Sequence, residues 1–139
     1  MEGCDRGHPL IESMKTPYAT VILPTLNRWS TLPWSLASVQ AQTETSLEIF
    51  VVLDGALPAC REIAVTAARA DKRIQVLDLP KDPGSGERNV DFAISQTCSD
   101  RIFYIDDDDL WLPNHVERLG PLLEQADIVD SREIGRAHV

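Results

Sequence analysis

The sequence predicts an α/β domain with a mainly parallel sheet and flanking helices. Two continuous apolar stretches, 18–23 and 48–53, have the length and the β-branched content of strands that are buried on both faces. The segments between the predicted strands carry apolar residues at helical spacing. Strands and helices that alternate with short connections are typical of βαβ units joined by right-handed crossovers. The length of 139 residues fits one domain.

Each element is predicted from a local pattern. The first strand, 18–23, ends at Pro24, and the first helix follows with Ser30 or Thr31 as its cap and Pro33 in its first turn. The other elements are predicted, in chain order, as strand 48–53, helix 58–70, strand 73–77, a helix after the loop 81–86, strand 101–105, a helix that begins at Pro113, and a further strand from Asp127.

The two ends of the chain lack this pattern. Residues 1–16 are polar and have no apolar signal core, so we expect a flexible leader. Residues 17–130 are predicted to form the domain. Residues 131–139 show neither core periodicity nor a closing helix, and we interpret them as a tail that need not be native. The chain is therefore interpreted as the amino-terminal piece of a longer protein.

The composition excludes several classes of function. A net charge of -9 argues against a nucleic-acid partner, which would require a basic face. The three cysteines form no C-x-x-C pair, so neither a disulfide framework nor a zinc site is expected, and the cysteine usage favours a reducing, cytoplasmic location. No apolar run approaches the ~20 residues that would predict a transmembrane segment.

Four consecutive aspartates, Asp106 to Asp109, follow the last predicted strand. They could cap the next helix, where carboxylates complement the helix dipole, but capping would use one or two of them. Carboxylate oxygens are preferred ligands of Mg²⁺ and Mn²⁺. On an extended strand end, Asp106 and Asp108 would point to the same side. We therefore predict that a divalent cation binds here together with substrate phosphates.

Other polar residues also follow predicted strands. Asn27 and Arg28 come after the first strand, and Asp54 comes after the second. Ligands of parallel sheets bind beyond the carboxyl ends of the strands, so these loops are predicted to meet the aspartates at one edge of the sheet. Asp54 could accept hydrogen bonds from a base or a ribose hydroxyl. The segment 84–89 is either a flexible turn or a loop that brings Arg88 to a phosphate.

Five segments, in this order, resemble the motifs of the family 2 glycosyltransferases, which have the Rossmann-like GT-A fold. They are 21–28, 38–43, 48–55, 84–89 and 105–109. Each motif alone is modestly specific, and their order makes the resemblance strong. It covers the amino-terminal, donor-binding half of the family's fold, so the acceptor half would be incomplete.

The resemblance implies metal-dependent inverting transfer of a sugar from a nucleotide-diphosphate-sugar, with a UDP-sugar as the first choice, to a hydroxyl of a carbohydrate or lipid-linked acceptor. Mn²⁺ or Mg²⁺ would be the cofactor, held by Asp106 and Asp108, with Asp108 as the first choice for a direct ligand. Asp54 would contact the base, Arg88 would lie near the diphosphate, and Asp107 would line the sugar site. Carried over by position, the donor site comprises Pro24, Thr25, Leu26, Asn27, Arg28, Asp54, Gly84, Arg88, Asp106 and Asp107.

Two departures from the family pattern limit this prediction. Leu53 stands where the family often has an aspartate, which would loosen base recognition. No carboxylate is identified as the general base that deprotonates the acceptor, so the catalytic residue is unknown and the chain alone could be inactive.

Two alternative functions remain open. One is a nucleotidyltransferase that makes a sugar nucleotide, although the loop 24–28 lacks the glycines typical of that class. The other is a truncated domain that binds nucleotide without turnover. An incomplete fold would also leave apolar surface uncovered, so self-association is expected.

Overall fold

The computed structural model describes residues 16–130, so nearly all of the predicted leader and the whole predicted tail lie outside the described residues. A four-stranded, fully parallel sheet with the strand order β3-β2-β1-β4 forms the centre. The elements are β1 (Ala19–Thr25), α1 (Leu32–Gln40), β2 (Leu47–Asp54), α2 (Pro58–Ala70), β3 (Ile74–Leu79), α3 (Glu87–Ser95), β4 (Ile102–Tyr104) and α4 (His115–Leu119), followed by a 3-10 helix (Gly120–Glu124). The predicted parallel α/β architecture is confirmed.

The two central strands are covered on both faces. All eight residues of β2 are buried, and so are six of the seven residues of β1. One set of side chains, which includes Val21 and Val51, packs in the cluster that contains residues of α1 and α2. The alternate set, which includes Ile22 and Phe50, packs with Ala93 of α3. Coverage on both faces explains why these strands read as continuous apolar runs rather than alternating ones.

The first two helices begin where the sequence predicts. Thr31 holds the N-cap position of α1 and a proline stands in the first turn, but the Thr31 side chain makes no capping hydrogen bond. Its hydroxyl donates instead to the backbone oxygen of Asp107, at 2.8 Å. The start of α1 is thereby connected to the acidic loop that follows β4, which comprises Asp106 to Asp109. Helix α2 has the predicted bounds, Pro58–Ala70.

The carboxyl-terminal part of the domain differs from the predictions. Helix α4 begins at His115 rather than Pro113, because the side chain of Gln42 accepts a hydrogen bond from the Val116 N–H and donates one to the Leu112 carbonyl. The helix gives way to a 3-10 turn at Pro121, whose missing N–H cannot continue an α-helix. The strand expected from Asp127 does not form, and Ile128 is 85% exposed.

Two further expectations concern cysteines and membranes. Cys60 is a buried free thiol, whereas Cys98 is disulfide-bonded, although the sequence predicts no disulfide framework. Between residues 16 and 130, no helix has both the length and the apolar character that crossing a bilayer requires.

His115 is a buried packing residue. Its ring stacks on Trp111 at a centroid distance of 4.3 Å and meets the edge of Phe103 at 6.0 Å. Its Nδ1 atom is buried and has no hydrogen-bond partner among the described residues. Because burial penalises the charged ring, the pKa of His115 falls from 6.5 to about 4.

This burial predicts acid-sensitive stability. The unfolded chain takes up a proton at His115 near pH 6.5 and the folded protein only near pH 4, so the unfolded state gains stability as the pH falls through that window. We expect the free energy of unfolding to drop by about 3 kcal/mol between pH 7 and pH 4, as measured by urea denaturation. In the variant His115→Phe this part of the pH dependence should vanish. An equal slope in both proteins would contradict the assignment.

Candidate functional site

The loops after the strands enclose one cavity of about 380 Å³ at the carboxyl end of the sheet. Every donor-site residue predicted from the sequence lines it, with the exception of Arg88. The wall consists of Pro24, Thr25, Leu26, Asn27, Arg28, Val52, Asp54, Lys81, Gly84, Ser85, Gly86, Asn89, Val90, Tyr104, Asp106 and Asp107. Four segments that are separated in the sequence, one at the end of each strand, therefore meet at one place, because parallel strands end at the same edge.

Asp54 lines the cavity. It is the last residue of β2 and is buried. Its Oδ1 accepts hydrogen bonds of 2.7 Å from the Asp82 N–H and from the Asn89 side-chain amide. Its Oδ2 lies 3.2 Å from the Lys81 ammonium. A carboxylate oxygen can accept more than one bond, so Oδ2 retains acceptor capacity toward the cavity.

Asp82 organises the loop between β3 and α3. Its buried carboxylate accepts hydrogen bonds from the N–H groups of Gly86, at 3.0 Å, and Arg88, at 3.2 Å. Burial alone would raise the pKa of Asp82, but the backbone hydrogen bonds from Arg88, Gly84 and Gly86 outweigh it and hold the pKa below its usual value. Gly86 has φ +97, and a Cβ atom there would lie 3.2 Å from Asp54 Oδ2. Glycine is therefore required at this close approach.

The four aspartates do not act as a uniform group. Asp107 is buried, and its Oδ2 accepts a 2.7 Å hydrogen bond from the Thr25 hydroxyl. Asp106, Asp108 and Asp109 are exposed, and one carboxylate oxygen of each lies within 4.8 Å of the others. A hydrogen bond from the Asp109 N–H to the Asp106 carbonyl, at 3.2 Å, turns the chain so that Asp109 joins the group.

The charges in this group are not fully balanced. Burial, and then the neighbouring charges of Asp106 and Asp108, raise the pKa of Asp109 above its usual value, although Arg28 acts in the opposite sense. Burial and the Asp106 charge similarly raise the pKa of Tyr104. Adjacent anions that repel one another gain from a bound cation. Exposed acidic clusters also occur without an ion, but three convergent carboxylates fit the oxygen-rich set that Mg²⁺ or Mn²⁺ requires.

Arg28 is the cation nearest to this loop in the described contacts. Its Nη1 lies 3.0 Å from Asp108 Oδ2 and 3.4 Å from Asp107 Oδ1. Arg88, by contrast, is 83% exposed at its side chain and lies 4.0 Å from Asp82. The structure thus brings Arg28, and not Arg88, to the wall of the cavity.

The sequence reasoning missed four residues of the site: Lys81, Asp82, Asn89 and Tyr104. Lys81 donates to the Asp82 carbonyl at 2.6 Å and to the Gly84 carbonyl at 3.2 Å, in addition to its pairing with Asp54. Lys81 and Asp82 lie just before the glycine-containing segment 84–89. This position in the sequence was the signal that could have identified them as site residues. The partner of both, Asp54, lies 27 and 28 residues earlier in the chain.

The chain resembles known glycosyltransferases in sequence. The family model described as Glycosyl transferase family 2 matches residues 20–135. An uncharacterized glycosyltransferase, YwdF of Bacillus subtilis (strain 168), is 31% identical over 113 residues, which cover 81% of this chain and 40% of YwdF.

Two solved structures show the same fold. TarS 1–349 of S. aureus superposes with a TM-score of 0.68 at 22% identity, over 78% of this chain and 33% of TarS. The mannosyltransferase PcManGT from Pyrobaculum calidifontis, solved with GDP-Man and Mn²⁺, superposes with a TM-score of 0.66 at 19% identity, over 82% of this chain and 34% of PcManGT. The predicted GT-A fold is thereby confirmed. The chain spans between a third and two fifths of the length of these proteins, and it belongs to glycosyl transferase family 2.

Proposed function

We propose that this chain is the donor-binding part of a metal-dependent, inverting glycosyltransferase. The observation that carries the proposal is that Asp54 and the acidic loop line the same cavity. A nucleoside diphosphate combines the matching groups, hydrogen-bonding base atoms and anionic phosphates. The family match supports transfer of a sugar rather than another use of the nucleotide.

We assign the base to the Asp54 end. The Oδ1 atom is occupied by two protein donors, so the Oδ2 atom is the acceptor that remains for an N–H of the base. A UDP-sugar is our first choice of donor. TarS structures with UDP and with UDP-GlcNAc support it, and the GDP-Man complex of PcManGT keeps guanine as the second choice.

We assign the diphosphate and the cation to the acidic loop. Asp106 and Asp108 would hold Mn²⁺ or Mg²⁺, and Asp109 joins the predicted pair as a third candidate ligand. When bound, the cation would neutralise the negative charge that develops on the departing nucleoside diphosphate. Asp107, held by Thr25, would keep the loop in place and line the sugar site. Arg88 remains a proposed phosphate contact although it does not line the cavity.

The acceptor is proposed to be a hydroxyl of a carbohydrate or lipid-linked sugar. Inverting transfer requires a base within hydrogen-bond reach of that hydroxyl. No side chain has been assigned to that role. A nucleotide-binding domain without turnover is therefore the second candidate, favoured by the chain's span of about a third of TarS. An assay of sugar-nucleotide hydrolysis with Mn²⁺ discriminates between the two.

The test of the proposed function is a calorimetric binding screen of UDP, GDP, CDP and ADP, each with Mn²⁺ and with EDTA. We expect UDP to bind more tightly than CDP and ADP, and Mn²⁺ to strengthen its binding. A nucleotidyltransferase would instead bind the nucleoside triphosphate together with a sugar phosphate. Equal binding of all four diphosphates, or none, would refute the assignment of the cavity.

We also propose self-association of the chain. The edge strand β4 has one edge that pairs with no strand among residues 16–130, and its Ile102 and Tyr104 side chains are exposed. Phe92 and Ile94 of α3 are exposed as well. An apolar surface with an unpaired strand favours association. Light scattering at increasing concentration should show a rising mean mass, whereas a constant monomer mass would count against the proposal.

A cytoplasmic location remains a proposal. It rests on the cysteine usage of the sequence, and the disulfide at Cys98 weakens that argument. Fractionation of the producing cells would test it.

A further inference from the structure

Arg28 makes two ion pairs of different character with the acidic loop. Its partner Asp107 is buried and is fixed by the hydrogen bond from Thr25. Its other partner, Asp108, is 45% exposed at its side chain and has the shorter contact, 3.0 Å. The Arg28 side chain itself is 55% exposed and is therefore free to leave Asp108 without opening the core.

The same Asp108 belongs to the group of three carboxylates that could hold a cation. A divalent cation among these carboxylates would share Asp108 with a guanidinium that lies within contact distance. Like charges at such distances repel measurably even in water. Arg28 and the cation must therefore compete for Asp108.

We propose that Arg28 is an internal counter-ion of the acidic loop, which a divalent cation displaces from Asp108, and that the displaced guanidinium then binds the diphosphate of the donor. This inference rests on the proposed function, because the diphosphate is the second partner of Arg28. Arg28 lines the cavity, so a change of side-chain rotamer carries its guanidinium from the carboxylates toward the ligand. The planar guanidinium matches phosphate oxygens in pairs, which an ammonium does not.

The proposal has a consequence for the order of binding. Cation binding alone is weakened, because it breaks the Arg28–Asp108 pair. Cation binding with a diphosphate is strengthened, because the released guanidinium gains a new anionic partner. Arg28 thus adds to the thermodynamic coupling between cation and nucleotide, and linkage requires each ligand to strengthen the other by the same factor.

The experiment compares Arg28→Met with wild type, using Mn²⁺ alone as the first probe. Free Mn²⁺ is counted by electron paramagnetic resonance during titration of the full chain. We expect the variant to bind Mn²⁺ about tenfold more tightly, because one repelling charge has been removed. The matched control is Arg61→Met, which removes the same charge from a surface pair with Asp78 outside the cavity. Its Mn²⁺ affinity should stay within about twofold of wild type.

The second probe is UDP at saturating Mn²⁺, measured by calorimetry. We expect Arg28→Met to bind UDP about tenfold more weakly, so that one substitution moves the two affinities in opposite directions. Arg28→Lys should keep the Mn²⁺ affinity of wild type and lose part of the UDP affinity, since it retains the charge without the planar fork.

Mn²⁺ binding that is absent, unchanged or weaker in Arg28→Met would overturn the competition. Tighter Mn²⁺ binding with an unchanged UDP affinity would overturn the transfer of Arg28 to the diphosphate. If wild type binds Mn²⁺ but no nucleoside diphosphate, the proposed function fails, while the Mn²⁺ titration still decides whether Arg28 competes.

Discussion

The double variant Asp106→Ala, Asp108→Ala should lose the metal-dependent part of nucleoside diphosphate binding. In wild type, we expect UDP to bind on the order of 100-fold more tightly with Mn²⁺ than with EDTA, because the cation links carboxylates and phosphates. With two of the three convergent carboxylates gone, Asp109 alone cannot hold the cation against water. Calorimetry should then give the same UDP affinity with Mn²⁺ and with EDTA.

This loss should occur without loss of stability. Asp106 and Asp108 are exposed, and their charges raise the pKa of Asp109, so their removal relieves repulsion. The melting temperature of the variant should equal or exceed that of wild type. The matched control is Glu62→Ala, Asp91→Ala, which removes two exposed carboxylates that do not line the cavity. Retained Mn²⁺ dependence in the site variant would refute the metal assignment.

The variant Asp54→Asn should affect both stability and base selectivity. The amide nitrogen would face the Lys81 ammonium, a contact between two donors, and the bonds from Asp82 and Asn89 would lose their charged acceptor. Hydrogen bonds to charged groups are worth more than neutral ones, so we expect a loss of about 2 kcal/mol in the free energy of unfolding. Urea denaturation measures it.

The effect on ligands should depend on the base. At the base edge that we propose to face Asp54, uracil presents an N–H and cytosine presents a bare nitrogen. Asp54→Asn replaces an acceptor with a donor, so the UDP affinity should fall about tenfold and the CDP affinity should rise relative to it. An unchanged ratio of the two affinities would mean that Asp54 does not contact the base.

A double-mutant cycle separates the two roles of Asp54. Lys81→Met removes the donor that opposes the new amide, so it should cost less stability in the Asp54→Asn background than in wild type. A coupling of at least about 0.5 kcal/mol is expected for residues in contact. The double variant should still show the altered base preference. If the preference returns to that of wild type, the change came from loop distortion rather than from the base contact.

The main elements of the fold could be predicted from the sequence because the sheet is covered on both faces. Strands β1 and β2 read as continuous apolar runs, and α2 was located to the residue. The position of the loop aspartates beside the other loops was also predictable, because parallel strands end at one edge of the sheet. Errors appeared where a distant residue decides the local structure. Gln42 sets the start of α4 from 70 residues away along the chain, and no local pattern contains that information.

The candidate site shows the same limit. Strand alternation correctly separated Asp107 from Asp106 and Asp108, but it could not place Asp109, because a turn replaces the extended chain at that point. The glycines of segment 84–89 fit either a flexible turn or a loop that brings Arg88 to a phosphate. The structure gives the N–H groups of Gly86 and Arg88 to the carboxylate of Asp82 instead. The pattern of glycines predicts that backbone N–H groups bind an anion, but it does not distinguish a ligand phosphate from a carboxylate of the protein such as Asp82.

The hydrogen bonds around Asp54 have a consequence for how fast a nucleotide binds and leaves. Asp54 is held by Asp82, Asn89 and Lys81 before any ligand arrives, so the base meets an acceptor that needs no ordering. The acidic loop, by contrast, must first exchange Arg28 for a cation. Recognition of the base should therefore be fast and governed by diffusion, while the residence time of the nucleotide is set at the acidic loop. Substitutions in the acidic loop should therefore change the dissociation rate of the nucleotide. Substitutions at Asp54 should instead change the discrimination between bases.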